Sequence, residues 1–226
     1  MSAGRRLVEI SHEIVPGMAT YPGLPGPVVS DFLSREDSRA HYAPGTTFLI
    51  ARVDMVVNTG TYVDAPYHRF PDGADVASLP LEKLADVDGV IVDVSSRSGR
   101  AIGPDAFSGL PLSGRAVLVR TDWSRHWGTP AYFEGHPFLT GEAARALAAA
   151  DPALVGIDSL NIDDNSGGER PAHTALLAAG IPILEHLCDL ARLPRSGFRL
   201  HASPAPLRNV GSFPVRAYAV VPEGAR

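Results

Sequence analysis

A chain of 226 residues can bury one sizeable core, and 45% apolar with 20% charged side chains is an ordinary globular mixture rather than a disordered one. The formal net charge of −5 argues against nucleic acid as a partner, because neutralising a phosphate backbone takes clustered Lys and Arg. A lone cysteine, Cys188, excludes an internal disulfide, and no run approaches the roughly eighteen apolar residues of a membrane span. Arg5 and Arg6 are followed by Glu9, His12 and Glu13 rather than by the apolar core of a signal peptide, so a cytoplasmic location is expected.

In chain order, β-branched apolar runs predict strands at Leu7 to Ile10, Phe48 to Val57, Val90 to Val94, Ala116 to Arg120, Leu154 to Ile157, Ile181 to Leu184 and Val215 to Val221. Thr140 is a fitting N-cap for a helix over Gly141 to Ala150, which is rich in Ala, Glu, Arg and Leu. Pro171 suits the first turn of a second helix through Ala179, with Gly180 as its stop. Prolines and glycines are scattered and no shift in composition divides the chain. The expectation is therefore a single α/β domain over residues 1–226, a mixed sheet with few helices.

Two stretches carry candidate chemistry. The first is Asn58-Thr-Gly-Thr-Tyr62-Val-Asp64-Ala-Pro66-Tyr-His68, where Gly60 and Pro66 argue against a helix. The segment is expected to be extended with a turn; in extended chain, period 2 puts Asn58, Tyr62, Asp64 and His68 on one face, with Asp and His as donors suited to Zn²⁺ or Mn²⁺. From spacing alone, a polar strand end bonded to backbone explains the same residues equally well. The second stretch runs from Gly156-Ile-Asp158-Ser through Asp163 and Asp164 to His173 and Ile181-Pro-Ile-Leu-Glu185. His173 would sit in the first turn of its helix, where the dipole favours a neutral imidazole, base or ligand. Glu185 ends an apolar run; buried, it needs a metal, a cation or strong donors, and otherwise it points outward.

Other residues carry less. Cys188 reads as a small buried hydrophobe, and Asp163 and Asp164 as solvated loop residues. His126 and His136, near Trp123, Trp127, Tyr132 and Phe133, read either as an aromatic-binding wall or as packing. His12, His41 and His201 are taken as structural. There is no nucleophile elbow, P-loop or dinucleotide fingerprint.

Taken together, Glu9-Ile-Ser-His12, Tyr21-Pro-Gly23, Thr59-Gly-Thr61, Asp64-Ala-Pro66, His68, Arg120-Thr-Asp-Trp123, Gly156-Ile-Asp-Ser159, His173 and Glu185 resemble the cyclase family, which includes kynurenine formamidases and isatin hydrolases. The resemblance covers nearly the whole chain. It implies a swivelling β/β/α domain, a homodimer or higher homo-oligomer, and hydrolysis of an aryl formamide, cyclic amide or lactone of a small aromatic molecule. The family motif H-x-G-T-H-x-D-x-P-x-H supplies ligands of a one- or two-metal centre. Here Asp64 and His68 match, while Asn58 and Tyr62 stand at the two earlier histidine positions. The family's later histidine and glutamate fall on His173 and Glu185. The resemblance thus implies one divalent ion, Zn or Mn, at Asp64, His68, Glu185 and His173, with His173 as ligand or base. Tyr62 and Asn58 would bond the substrate carbonyl. Two alternatives stay open: a metal-free cyclase or lyase using His173 and Asp64 as an acid–base pair, and a silent binding protein on the same scaffold.

Overall fold

The computed structural model describes residues 4–224. In chain order its strands and α-helices are β1 (Arg5–Glu9), β2 (Val28–Leu33), α1 (Arg35–Ser38), β3 (Ile50–Asp54), β4 (Tyr62–Asp64), β5 (Ala85–Asp93), β6 (Ala101–Ile102), β7 (Ala116–Arg120), β8 (Phe138–Leu139), α2 (Gly141–Ala150), β9 (Leu154–Ile157), α3 (Pro171–Ala178), β10 (Ile183–Glu185), β11 (Ser196–His201), β12 (Ser212–Pro214) and β13 (Tyr218–Pro222).

Nine strands form one mixed sheet in the order β1-β13-β11-β5-β7-β9-β10-β4-β12. Strands β5, β7, β9 and β10 run parallel at its centre, and the flanking pairs are antiparallel. The central strands are near-continuous Val, Ile and Leu because both of their faces are buried. Alternation assigns the faces: Val117, Val119, Val155, Ile157 and Ile183 pack in one core with Leu147 of α2 and Leu176 of α3. Leu118, Leu154 and Leu184 point the other way, into a second core with Val8, Phe198 and Ala219. The sheet curls so far that the chain after β1 meets the end of β10, through the Ser11–Leu187 bridge and the Cys188 N–H to Ile10 carbonyl bond of 3.0 Å. This is the single mixed-sheet domain with few helices that the sequence predicts.

The two helices fall where caps place them. The Thr140 hydroxyl accepts from Ala143 N–H, Pro171 opens α3, and Gly180 follows at φ 69°. Several strands shift by a few residues; the Phe48 to Val57 strand, for example, is only β3. The Asn58–His68 stretch is extended with a turn, as expected, but less of it is extended: Gly60 turns at φ 65°, Pro66–His68 form a 3-10 turn, and Tyr62–Asp64 is the part in the sheet. The shared-face argument therefore holds for Tyr62 and Asp64 alone. Among the described residues, strands β2 and β3 pair only with each other, and they stand exposed, outside both cores.

Candidate active site

Three neighbouring strands and one helix terminus build the site. Strands β10 and β4 are antiparallel with Glu185 opposite Tyr62 and Ile183 opposite Asp64, while β12 places Ser212 opposite Asp64. Directly opposed residues share a face. Tyr62, Asp64, Glu185 and Ser212 therefore lie on the face that α3 covers, and α3 brings His173 over them. Gly211 lets β12 come close: a Cβ there would stand 2.6 Å from the His68 Cα, so only glycine admits this approach.

His173 is held from behind by Asp163. One Asp163 carboxylate oxygen accepts from the Ala172 N–H at 2.6 Å; the other accepts from the His173 N–H at 2.9 Å and from its Nδ1 at 2.7 Å. That bond orients the ring and aims Nε2 at Asp64 Oδ2, 3.5 Å away, and Glu185 Oε1, 3.6 Å away, so that the neutral imidazole expected at a helix start gives way to one surrounded by carboxylates. Burial alone would lower the His173 pKa, but Glu185, Asp163 and Asp64 outweigh it and hold the imidazole up at about 10. The reading of Asp163 as a solvated loop residue is thus corrected: its carboxylate is fully buried because it caps α3 and orients His173. Asp164 is the half-exposed one, paired with Arg100.

Glu185 is buried as the sequence suggested, and donors surround it. Oε1 accepts from the Ile162 N–H at 2.8 Å; Oε2 accepts from the Tyr62 hydroxyl at 2.5 Å, with the Tyr21 hydroxyl at 3.0 Å and Asn161 Nδ2 at 3.3 Å. Burial raises its pKa, partly offset by His173 and raised further by Asp64. Burial and the Glu185 charge also hold Tyr62 and Tyr21 well above the usual phenol range, so both are neutral donors. Behind them His186, at φ 56°, shares a hydrogen bond with the Tyr132 hydroxyl at Nδ1 (2.8 Å) and with the Tyr21 hydroxyl at Nε2 (3.1 Å). Burial keeps this ring neutral, which fits one donor and one acceptor.

Asp64 differs from Glu185. Its Oδ1 accepts from Ser212 Oγ, which also bonds His68 Nδ1 at 2.9 Å, but its buried Oδ2 has no hydrogen-bond partner among the described residues. An orphaned buried carboxylate oxygen calls for a cation. Asp64, His68 and His173 each present a donor atom within 4.8 Å of the others, so these residues fit one divalent ion. Asn58, Tyr62, His68, His173 and Glu185 line a pocket of about 200 Å³ with Tyr21 and Asn161. All six candidate residues thus gather at one place: Asp64 lies just behind the wall that the other five form.

Three participants escaped the sequence reading. Tyr21 entered only as part of the family resemblance, Asn161 had no motif around it, and Ser212 is 148 residues from Asp64. The aromatic residues near Trp123 do not line this pocket. Trp127 instead stacks on His12 at 3.9 Å and packs on Tyr132, and Trp123 Nε1 donates to the Tyr132 carbonyl. Cys188 is half-buried rather than fully buried.

A curled mixed sheet carrying an Asp–His–His cluster beside a buried carboxylate is the frame of a hydrolase site. The Cyclase family model matches residues 8–164, more than half of the chain. Kynurenine formamidase of Bacillus cytotoxicus is 31% identical over 211 residues, covering 93% of this chain and 95% of that protein. Among solved structures, isatin hydrolase A from Labrenzia aggregata, bound to benzyl benzoate, superposes with a TM-score of 0.83 at 26% identity over 97% of this chain and 94% of that one. A protein described as a potential metal-dependent hydrolase with cyclase activity gives 0.79 at 27% identity, over 97% and 100%. The chain belongs to the cyclase family, as an arylformamidase-like member. No helix among the described residues is long and apolar enough to cross a membrane.

Proposed function

We propose that the protein hydrolyses the C–N bond of a small aromatic amide, an aryl formamide or a cyclic amide, at the pocket between α3 and β4, β10 and β12. The observation that carries this reading is the orphaned Asp64 Oδ2 facing the Asp163-oriented His173 in a pocket that Glu185 also lines. Asp64, His68 and His173 would hold one ion, with Glu185 beside them at 3.6 Å from His173 Nε2. Bound there, Zn²⁺ or Mn²⁺ would supply Lewis acidity and would lower the pKa of a bound water toward roughly 7.

The chain's own groups supply the rest. Glu185, its pKa raised by burial, takes the proton of the attacking water at Oε1 and returns it to the leaving nitrogen. The Tyr62 hydroxyl donates to Oε2 and keeps that carboxylate turned toward the pocket. Asn58, in the pocket wall, offers its amide N–H to the oxyanion that develops on the carbonyl. Elemental analysis of untagged protein combined with formanilide hydrolysis tests the reading. Turnover that disappears on chelation and returns with Zn²⁺ or Mn²⁺ supports it, whereas full turnover in Asp64→Ala refutes it.

One observation favours a second reading, a metal-free enzyme. Both Glu185 oxygens already have donors, and His173 Nε2 lies between two carboxylates, an arrangement suited to acid–base work by His173 and Asp64. Turnover in rigorously metal-free protein selects it.

The β2–β3 ribbon supports assembly into a homodimer. A lone two-stranded hairpin is marginal in water, and this one exposes Val28, Val29, Phe32 and Val53, with Phe32 67% exposed. Sedimentation should show a dimer that Phe32→Glu weakens; a wild-type monomer at micromolar concentration would overturn the assignment.

A further inference from the structure

We infer that Arg69 and Arg170 form an anion subsite at the mouth of the pocket, so that the substrate is an aromatic amide carrying a carboxylate. This rests on the proposed hydrolase reading for the position of the amide, but not for the subsite itself. Arg69 follows His68 directly, and Arg170 precedes the helix that presents His173. Both side chains line the pocket that holds His173 and Glu185. Both also line an adjoining cleft of about 760 Å³, which Arg145 borders as well. Three guanidinium groups thus gather beside two acidic side chains, Glu169 and the Glu142 that pairs with Arg145 at 3.4 Å, on a protein whose formal net charge is −5.

Their hydrogen bonds leave donors free. Arg170 spends Nη1 on the carbonyls of Asp164, Gly167 and Glu169, which fixes its stem and leaves Nε and Nη2 without a partner among the described residues. Arg69 spends only Nε, on Thr174 Oγ1 at 3.3 Å, with its guanidinium beside the Phe70 ring. Neither arginine has a carboxylate within 4.0 Å among the described residues. A planar fork with free N–H groups matches a carboxylate in two-point contact. The deeper wall carries His173 and Glu185, the groups placed to act on the amide. A substrate whose carboxylate is held by the arginines at the rim therefore has its amide inward. The arginines select the substrate's charge, and the deeper groups act on its amide.

Two measurements decide the matter. The first compares kcat/KM for 2-formamidobenzoate with that for neutral formanilide, in wild type and in R69Q. The expected result is a preference of about 10- to 100-fold for the anion in wild type, the range for a charge-assisted bond, shrinking toward unity in R69Q and weakening with salt. The second is thermal protection by benzoate compared with benzamide, which needs no turnover. Benzoate alone should protect, and R69Q and R145Q should diminish that protection. Equal kcat/KM for the two substrates, a preference that survives in R69Q, or benzamide protecting as well as benzoate overturns the subsite. If neither amide is hydrolysed while benzoate still protects through Arg69, the hydrolase reading fails and the subsite stands.

Discussion

Asp163→Asn isolates the residue on which the site's geometry turns. The native carboxylate receives three N–H groups, from Ala172, the His173 backbone and His173 Nδ1, all buried. An amide retains one acceptor oxygen. In its better orientation that oxygen keeps both His173 bonds, and the new NH₂ then faces the Ala172 N–H. One buried donor left unsatisfied costs about 1–3 kcal/mol, and replacing a charged acceptor with a neutral one loses about 1 kcal/mol more. The sum is about 2–4 kcal/mol, a large fraction of the roughly 5–15 kcal/mol that stabilises a domain. Urea titration should show that loss at unchanged slope. Activity should fall about 10- to 100-fold, because Nε2 loses its fixed direction and the imidazole its electrostatic support. Asp163→Ala, which removes every acceptor, should destabilise more. A D163N protein within about 0.5 kcal/mol of wild type, with full activity, would refute the view that Asp163 both caps α3 and orients His173.

Other consequences can be measured directly. Because the carboxylates hold the His173 pKa at about 10, a divalent ion must displace one proton from Nε2. Zn²⁺ affinity should climb about tenfold per pH unit below that value, and calorimetry in buffers of different ionisation enthalpy should count about one proton released; a pH-independent affinity would exclude His173 as a ligand. Burial depresses His12 to about 4 against Asp189, so the folded state binds fewer protons there than the unfolded chain, whose imidazole titrates near 6.5. The His12 contribution to stability is therefore flat above about pH 6.5 and falls as pH drops toward about 4, and His12→Phe, which keeps the stack on Trp127, should shallow that fall. Burial holds the Cys188 thiol up at about 12, so iodoacetamide at mildly alkaline pH should label it slowly in the native protein and readily in urea.

Residues whose roles depend on local pattern were legible in the sequence. Thr140, Pro171 and Gly180 mark helix ends through bonds within a few residues of themselves, and α2 runs where they place it. The Val117-Leu118-Val119 alternation becomes visible only once both sheet faces are known to be buried, but its apolar run announced a central strand. The six candidate residues came together because the motif and the later histidine and glutamate converge through adjacent strands. What stayed hidden was non-local. Asp163 looks like any aspartate in a loop until the loop folds over the start of α3, and Ser212 has no motif around it. Gly60 and Pro66 marked the turn in 58–68, but not how little of the stretch stays extended once Pro66–His68 coil.

Tyr62 shows how one substitution can redirect a site without dismantling it. At a position where the family motif has histidine, its phenol sits fully buried opposite Glu185 and donates to it at 2.5 Å. A neutral donor lowers the cost of burying that carboxylate by satisfying it, which is part of what a cation would otherwise do. Asp64 received no such replacement, since Ser212 serves Oδ1 and leaves Oδ2 open. The demand for positive charge is therefore uneven across the site: hydrogen bonds meet it at Glu185, whereas Asp64 Oδ2 faces the His173 imidazole at 3.5 Å without a hydrogen bond. Restoring histidine at position 62 would remove the Glu185 donor and supply a second imidazole together. Metal content should then rise in Tyr62→His, and Glu185, no longer held by a phenol, becomes free to join the ligands.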